Sequence, residues 1–311
     1  MAGGAVDAVQ LSFSPSGLRV LNACLALVMF GVALGIRVED FVRLVRAPRP
    51  VLAGLLSQWV ALPLVTLGLV LVAQPPPSIA LGLVLVSACP GGNISNFLVH
   101  LGGGNAALSV SLTSLSSLAS AVVTPLVFSA GVVLLGVAGG GDGVPALSVD
   151  LVDVGVTIAL VVLLPLALGV GVAARWPARA AALEPVARWV SLLVFALFVA
   201  LAIAANLSAF RSHAHHVVLL VVAHNALALT SGWLVGRAFG LEVRDRRAVM
   251  LETGIQNSGL ALVLIFGFFS GLGGMALVAA MWGVWHILSG LAVATWQRRH
   301  PAESSGLSNS A

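Results

Sequence analysis

Two short polar stretches interrupt runs that are otherwise apolar: Cys89-Pro90-Gly91-Gly92-Asn93-Ile94-Ser95-Asn96 and Glu252-Thr253-Gly254-Ile255-Gln256-Asn257-Ser258-Gly259. Pro90 lacks an N–H and the glycines admit backbone angles that other residues avoid, so helical hydrogen bonding is not expected to continue through either stretch. If hydrocarbon surrounds such a break, the freed backbone groups cannot face lipid; they must line a protected polar cavity or bind something. Glu252 is the decisive side chain. Of eleven acids it alone falls well inside an apolar run, and a carboxylate there marks an ion or proton path by default. The plainer alternative, an interfacial ion pair with Arg246 or Arg247, leaves Gln256, Asn257 and Ser258 without a purpose. A further run carries Ser109, Thr113 and Ser116/Ser117 at spacings of three or four, a hydroxyl stripe on one helix face, with Ser111 and Ser114 beside it. Such a stripe either holds helices together or faces a site. One carboxylate among neutral hydroxyl and amide oxygens is a hard-oxygen set, suited to a singly charged cation better than to zinc or copper, and too poor in carboxylates for calcium. Sodium is the natural candidate, with a proton on Glu252 as the rival.

The elements that must position these residues follow from composition. The chain of 311 residues is 59% hydrophobic and 8% charged, with a mean hydropathy of +1.08. A soluble protein of this size cannot hide so much apolar surface, and an all-α polytopic membrane protein is expected. Apolar windows of about 20 residues recur near 18–36, 50–73, 78–101, 106–135, 150–174, 186–207, 216–238, 246–270 and 274–296, which gives nine transmembrane helices. Residues 1–17 form an N-terminal extracellular segment, 18–296 a single transmembrane domain, and 297–311 a disordered cytoplasmic tail. No cleavable signal peptide is visible. Cys24 and Cys89 read as packing residues rather than a disulfide or metal pair. All fifteen cations are arginine, and no basic patch interleaved with aromatics suggests a nucleic-acid partner.

Thirteen of the fifteen arginines fall on one side of a nine-span arrangement, after the first, fifth, seventh and ninth spans. Only Arg19 and Arg211 fall on the other. The positive-inside rule then places the N-terminus outside and the C-terminus in the cytoplasm, in a multi-pass plasma-membrane protein. The Gln74-Pro75-Pro76-Pro77 turn, the Gly139–Gly143 loop and a Ser212-His213-Ala214-His215-His216 loop lie outside; the histidines lack a neighbouring Cys or carboxylate and read as solvated rather than metal-binding. The interrupted spans, third and eighth, enter from opposite sides. That is the arrangement of an inverted-topology repeat whose two broken helices cross near the bilayer midplane. Single prolines such as Pro125 and Pro165 read instead as kinks repaired by nearby Ser and Thr.

Cys-Pro-Gly-Gly-x-x-Ser-Asn, Gly104-Asn105-Ala106-Ala107-Leu108-Ser109-Val110, Glu-x-Gly-x-Gln-Asn-Ser-Gly and Trp285-His286-x-x-Ser289-Gly290 follow in an order and spacing that resembles the bile acid:sodium symporter family over about residues 26–296. The resemblance implies two sodium sites. One takes Ser95, Asn96, Ser109, Thr113 and Glu252; the other takes Gln58, Glu252, Gln256 and the backbone carbonyls of Thr253 and Ile255. Gln58 has a separate argument, since an amide inside a Leu/Val-rich span needs a partner. The family's substrates approach near Asn93, Asn257 and Ser258. His286 matches a family position, either as a substrate contact or as a histidine bonded to a neighbouring helix. The chain is similar to the nine-span branch of the family, and Asn93 stands where many relatives carry Thr.

Two sodium ions against one carboxylate leave a positive cavity, which would attract an organic anion, either bile acid-like or a small carboxylate. The expectation is therefore sodium-coupled symport by alternating access. The resemblance also implies that core helices at about 50–135 and 216–296 move against a panel at about 18–36 and 150–207; the chain is expected as monomer or homodimer among membrane lipids, with no cofactor beyond the coupling ions. A proton-coupled transporter, or a sensor or channel on the same scaffold, is the alternative. An enzyme is not expected, because Ser109 and His286 have no paired acid.

Overall fold

Prolines set where several helices begin, because a residue without an N–H loses nothing in a first turn. The computed structural model describes residues 15–35, 48–136, 150–205, 207–269 and 271–300. Its helices are α1 (Pro15–Ala33), α2 (Pro48–Ala73), α3 (Pro77–Ala88), α4 (Ile94–Leu101), α5 (Ala106–Leu134), α6 (Leu151–Ile158, continued as Leu164–Arg175), α7 (Pro177–Ala205), α8 (Leu207–Ala238), α9 (Val243–Gly254), α10 (Ser258–Phe268) and α11 (Gly273–Arg299). Four of them start on a proline: α1, α2, α3 and α7. Among the described residues, five helical segments are long and apolar enough to cross a membrane: Pro48–Ala73, Ala106–Leu134, Val152–Arg175, Val217–Ala238 and Gly273–Arg299. Shorter apolar helices lie at Ser16–Gly31, Pro77–Ala88 and Ser258–Phe268. Leucines and valines such as Leu71, Val72, Val133, Leu160 and Leu193 are exposed, as on a surface that faces lipid.

The apolar runs expected at 78–101 and 246–270 are interrupted, as α3 and α4 and as α9 and α10. The outer edges of other elements differ from expectation. Residues Ser212 to His216 do not form a loop: α8 begins at Leu207 and carries them in its first turns. A polar start to a helix satisfies solvent as well as a loop does, so composition alone misplaces that boundary. Similarly, α7 begins at Pro177 and takes Arg179 and Arg188 into the helix rather than leaving them in a connection. The Gly139–Gly143 loop, Arg37, Arg43, Arg46 and the tail beyond residue 300 lie outside the described residues.

Pro165 is accommodated differently from the expected Ser/Thr repair. Leu164 N–H bonds back to the Ala159 carbonyl through a widened π turn at Ala159–Leu163. The same device precedes Pro63, where Leu62 N–H reaches the Ser57 carbonyl across Ser57–Ala61. An extra residue in the turn relieves the clash of a proline ring with the preceding turn. In α2 the widened turn also carries Gln58, which is buried.

Packing divides into neighbourhoods. α1 lies mainly against α6 and α7, while α8 lies along α9 and α11. One large apolar cluster surrounds α3 and α10, with Leu81, Leu85, Leu260, Leu264, Leu277 and Trp282 among its members. A smaller one surrounds α4 and α9, with Leu98, Val99, Val249, Leu251 and Leu112. The apolar halves of the two broken helices thus pack together, as do the two more polar halves. The breaks lie between these clusters.

Candidate functional site

The two breaks are joined to one another directly. Gly92 N–H donates to the Ile255 carbonyl at 2.7 Å, and Asn257 N–H donates to the Pro90 carbonyl at 2.9 Å. Together they make an isolated antiparallel bridge between Gly91 and Gln256. Space is tight at both glycines, against a side chain at Gly91 and against backbone at Gly92. A Cβ on Gly91 would stand 2.9 Å from Glu252 Oε2, and one on Gly92 would stand 2.9 Å from the Gln256 carbonyl oxygen. The Gly91 N–H is taken by Ser116 Oγ of the hydroxyl stripe at 3.3 Å.

Four half-helices therefore end or begin at one point. α3 and α9 arrive with their carbonyl ends, which favour a cation; α4 and α10 leave with their N–H ends, which favour an anion. The two departing ends differ. Asn257 Oδ1 accepts from Leu260 N–H at 3.0 Å and caps α10, whereas Asn93 makes no side-chain cap for α4 and is only half-buried. Ser258 is buried at the start of α10.

Glu252 is fully buried. Its Oε1 accepts hydrogen bonds from Ser95 and Ser109, and its Oε2 accepts from Thr113 at 2.9 Å. Ser109 also reaches Asn96 Oδ1 at 2.8 Å, and Thr113 lies 3.2 Å from the same oxygen. All five residues expected at the first ion site are thus in one hydrogen-bonded group, drawn from α4, α5 and α9. Ser109, Thr113 and Ser116 bond to groups at the breaks, Thr113 and Ser116 while also bonding back within α5 at 3.1 and 3.2 Å; Ser111 and Ser114 bond back to carbonyls of their own helix at 2.8 and 2.7 Å. Among the described residues, no arginine is paired with Glu252. Arg247 turns away to donate to the Gly102 carbonyl at 2.9 Å and to the His300 carbonyl, and Arg246 lies over the Trp233 ring at 5.0 Å.

The second expected set is arranged more loosely. Gln58 and Gln256 are buried, and Gln58 turns its amide nitrogen toward the carboxylate beside Gly91 without closing a hydrogen bond of ordinary geometry. The side-chain oxygens of both Gln58 and Gln256 lack a hydrogen-bond partner. Buried amide oxygens without a donor suit a cation. The Thr253 carbonyl accepts from Gln256 Nε2 at 2.8 Å, and the Ile255 carbonyl is engaged by Gly92. Thr253 Oγ1 also meets Ser57 Oγ at 2.7 Å. Hydroxyl, amide and carboxylate oxygens dominate both sets, the donor chemistry that sodium takes, and among the described residues no three His, Cys, Asp or Glu side chains gather.

His286 belongs to a different buried group. Its ring stands 6.4 Å from that of Trp282, which in turn lies 4.7 Å from His224, and His224 Nε2 is hydrogen-bonded to Thr66 Oγ1 at 2.6 Å. Sequence reasoning missed His224, Thr66, Trp282, Ser57 and Asn225. The signal was available for Asn225, because the argument used for Gln58, an amide in an apolar span, applies equally to it.

Residues 22–212 match the model of the Sodium Bile acid symporter family. The chain is 31% identical over 287 residues to the uncharacterized sodium-dependent transporter YocS of Bacillus subtilis (strain 168), across 92% of this chain and 85% of that protein. It is 30% identical over 278 residues to the probable chloroplastic sodium/metabolite cotransporter BASS1 of Oryza sativa subsp. japonica, across 89% of this chain and 66% of that one. The BASS1 protein of Arabidopsis thaliana is 28% identical over 280 residues, 90% of this chain and 67% of its own length. The apolar helices mark an integral membrane protein, and the family model and relatives are those of transporters rather than enzymes. The chain belongs to the sodium bile acid symporter family, whose members are sodium-dependent transporters.

Proposed function

We propose that this protein is a sodium-coupled symporter of an organic anion, working by alternating access in the plasma membrane. The observation that carries the reading is Glu252, buried where two broken helices cross and ringed by hydroxyls from α4 and α5. One sodium ion is held by Ser95, Asn96, Ser109, Thr113 and Glu252. A second is held by Gln58, Glu252, Gln256 and the carbonyls of Thr253 and Ile255. The substrate, bile acid-like or a small carboxylate, binds near Asn93, Asn257 and Ser258, and the uncapped start of α4 supports Asn93 as its contact.

Nine spans, with an inverted repeat, an outside N-terminus and a cytoplasmic C-terminus, fit the arginine distribution. The packing of α1 with α6 and α7 supports their acting as a panel against which the other helices move. Binding of two cations would neutralise Glu252 and leave one positive charge for the anion, so cotransport of a monovalent anion would carry net charge.

The test is uptake of a panel of organic anions into proteoliposomes under an inward sodium gradient, with Glu252→Gln as control. Uptake should require sodium and vanish in the variant. Uptake that ignores sodium and follows a pH gradient equally well would replace the sodium reading with proton coupling.

A further inference from the structure

Where a helix stops inside a membrane, its last carbonyls need partners that water cannot provide. At the end of α9 each of three successive carbonyls has a different one. Thr253 accepts from Gln256 Nε2 at 2.8 Å, Gly254 accepts from Asn225 Nδ2 at 2.7 Å, and Ile255 accepts from Gly92 N–H at 2.7 Å. The chain is extended at Ile255, with φ −119° and ψ 100°, so the carbonyls on either side of that residue point in different directions. Asn225 is 1% exposed, and its Oδ1 is held by Ser289 Oγ at 2.6 Å. Both ends of the amide are thus engaged, one by α9 and one by α11, while its own backbone is in α8.

We infer that Asn225, braced by Ser289, is a positioning residue for the second sodium site: by fixing the Gly254 carbonyl away from the site it sets the direction of the Thr253 and Ile255 carbonyls that flank it. This rests on the symport reading above. Asn225 touches neither ion nor substrate. Without its N–H the Gly254 carbonyl, still buried, would turn toward other donors, and the Gln256 amide is the nearest alternative along the chain. Gln256 would then give up its bond to Thr253, and the set of oxygens offered to the ion would change together. Neither residue lies among the hydroxyls around Glu252, so the first site should be spared.

The experiment is a melting-temperature titration of the purified full chain with sodium chloride, at constant ionic strength maintained with N-methylglucamine chloride and with no organic substrate. Wild type should show a saturable, sodium-specific rise. Asn225→Leu should move the main sodium midpoint upward by about tenfold, the scale of one lost buried hydrogen bond, and reduce the steepness of the curve toward that of a single site. Ser289→Ala, which keeps the bond to Gly254 but frees the far end of the amide, should move it by about threefold. Wild type indifferent to sodium sinks the symport reading itself. A sodium-sensitive wild type together with an unchanged midpoint in Asn225→Leu, even at a lower baseline melting temperature, overturns the positioning role. If Asn225→Leu does not fold, an unchanged midpoint in Ser289→Ala overturns it equally.

Discussion

The two breaks do the same backbone job with different chemistry. The first is made of Pro90, Gly91 and Gly92, and what it contributes is room: a close approach to Glu252 and Gln256, two backbone groups for the bridge, and an uncapped start to α4. The second supplies the carboxylate, the amide and a capped start to α10. The flanking halves differ in the same way. α3 and α10 are almost wholly apolar and pack together, whereas α4 and α9 meet in a region held by Arg247 and by the bond from Asn105 Nδ2 to Asp245 at 2.8 Å. One break is shaped to be approached, and the other to hold charge. Ion affinity is thus expected to depend on space at the first and on atoms at the second.

Filling the space should have the largest effect. Gly91→Ala places a carbon against the Glu252 carboxylate, and sodium-driven uptake should fall by about 10- to 100-fold, the scale of a tight steric conflict in a packed interior. Gly267→Ala, where a Cβ would meet nothing within 4 Å, is the control and should leave uptake unchanged. Equal uptake in the two variants would break the comparison.

The atoms come next. Thr113→Val removes a bond to Glu252 and should weaken both sodium affinity and sodium-free stability, by about 1–2 kcal/mol in the latter. Gln58→Leu should weaken sodium binding by about tenfold yet leave the sodium-free protein as stable or slightly more so, because the amide it removes satisfies little there. Calorimetry with and without sodium separates the two. A loss of sodium-free stability in both would mean that Gln58 is a structural residue.

The smallest difference is between the two asparagines that open the departing halves. Asn257→Ala loses a helix cap and should cost about 1 kcal/mol of stability. Asn93→Ala should cost little stability and act on substrate KM instead. The same calorimetry and an uptake series check both.

Much of this site can be read from residues that do not belong in lipid. Glu252, Gln58, the paired octamers and the hydroxyl stripe each conflict with an apolar span, and that conflict is local, so it is visible without coordinates. Partner choice is not local. That Gly92 would take the Ile255 carbonyl, that Asn225 would take Gly254, and that Arg247 would cap Gly102 rather than meet Glu252 depend on which helices are neighbours. The prolines show the same division. Their positions announce a disturbed helix, but whether it kinks or widens into a π turn, as before Pro63 and Pro165, depends on what packs around it. The start of α8 was obscured for a different reason, since polar residues in a first turn have no pattern that separates them from a loop.

The bridge between the breaks also has a consequence for how the chain is made. Pro90 and Gly92 leave the ribosome long before Ile255 and Asn257, more than half the chain later. Until then a carbonyl and an amide at the first break have no lasting partner in the bilayer. The two hydrogen bonds across the breaks therefore close only after the chain has been made through Asn257, so the first break is completed late, by residues of the second half.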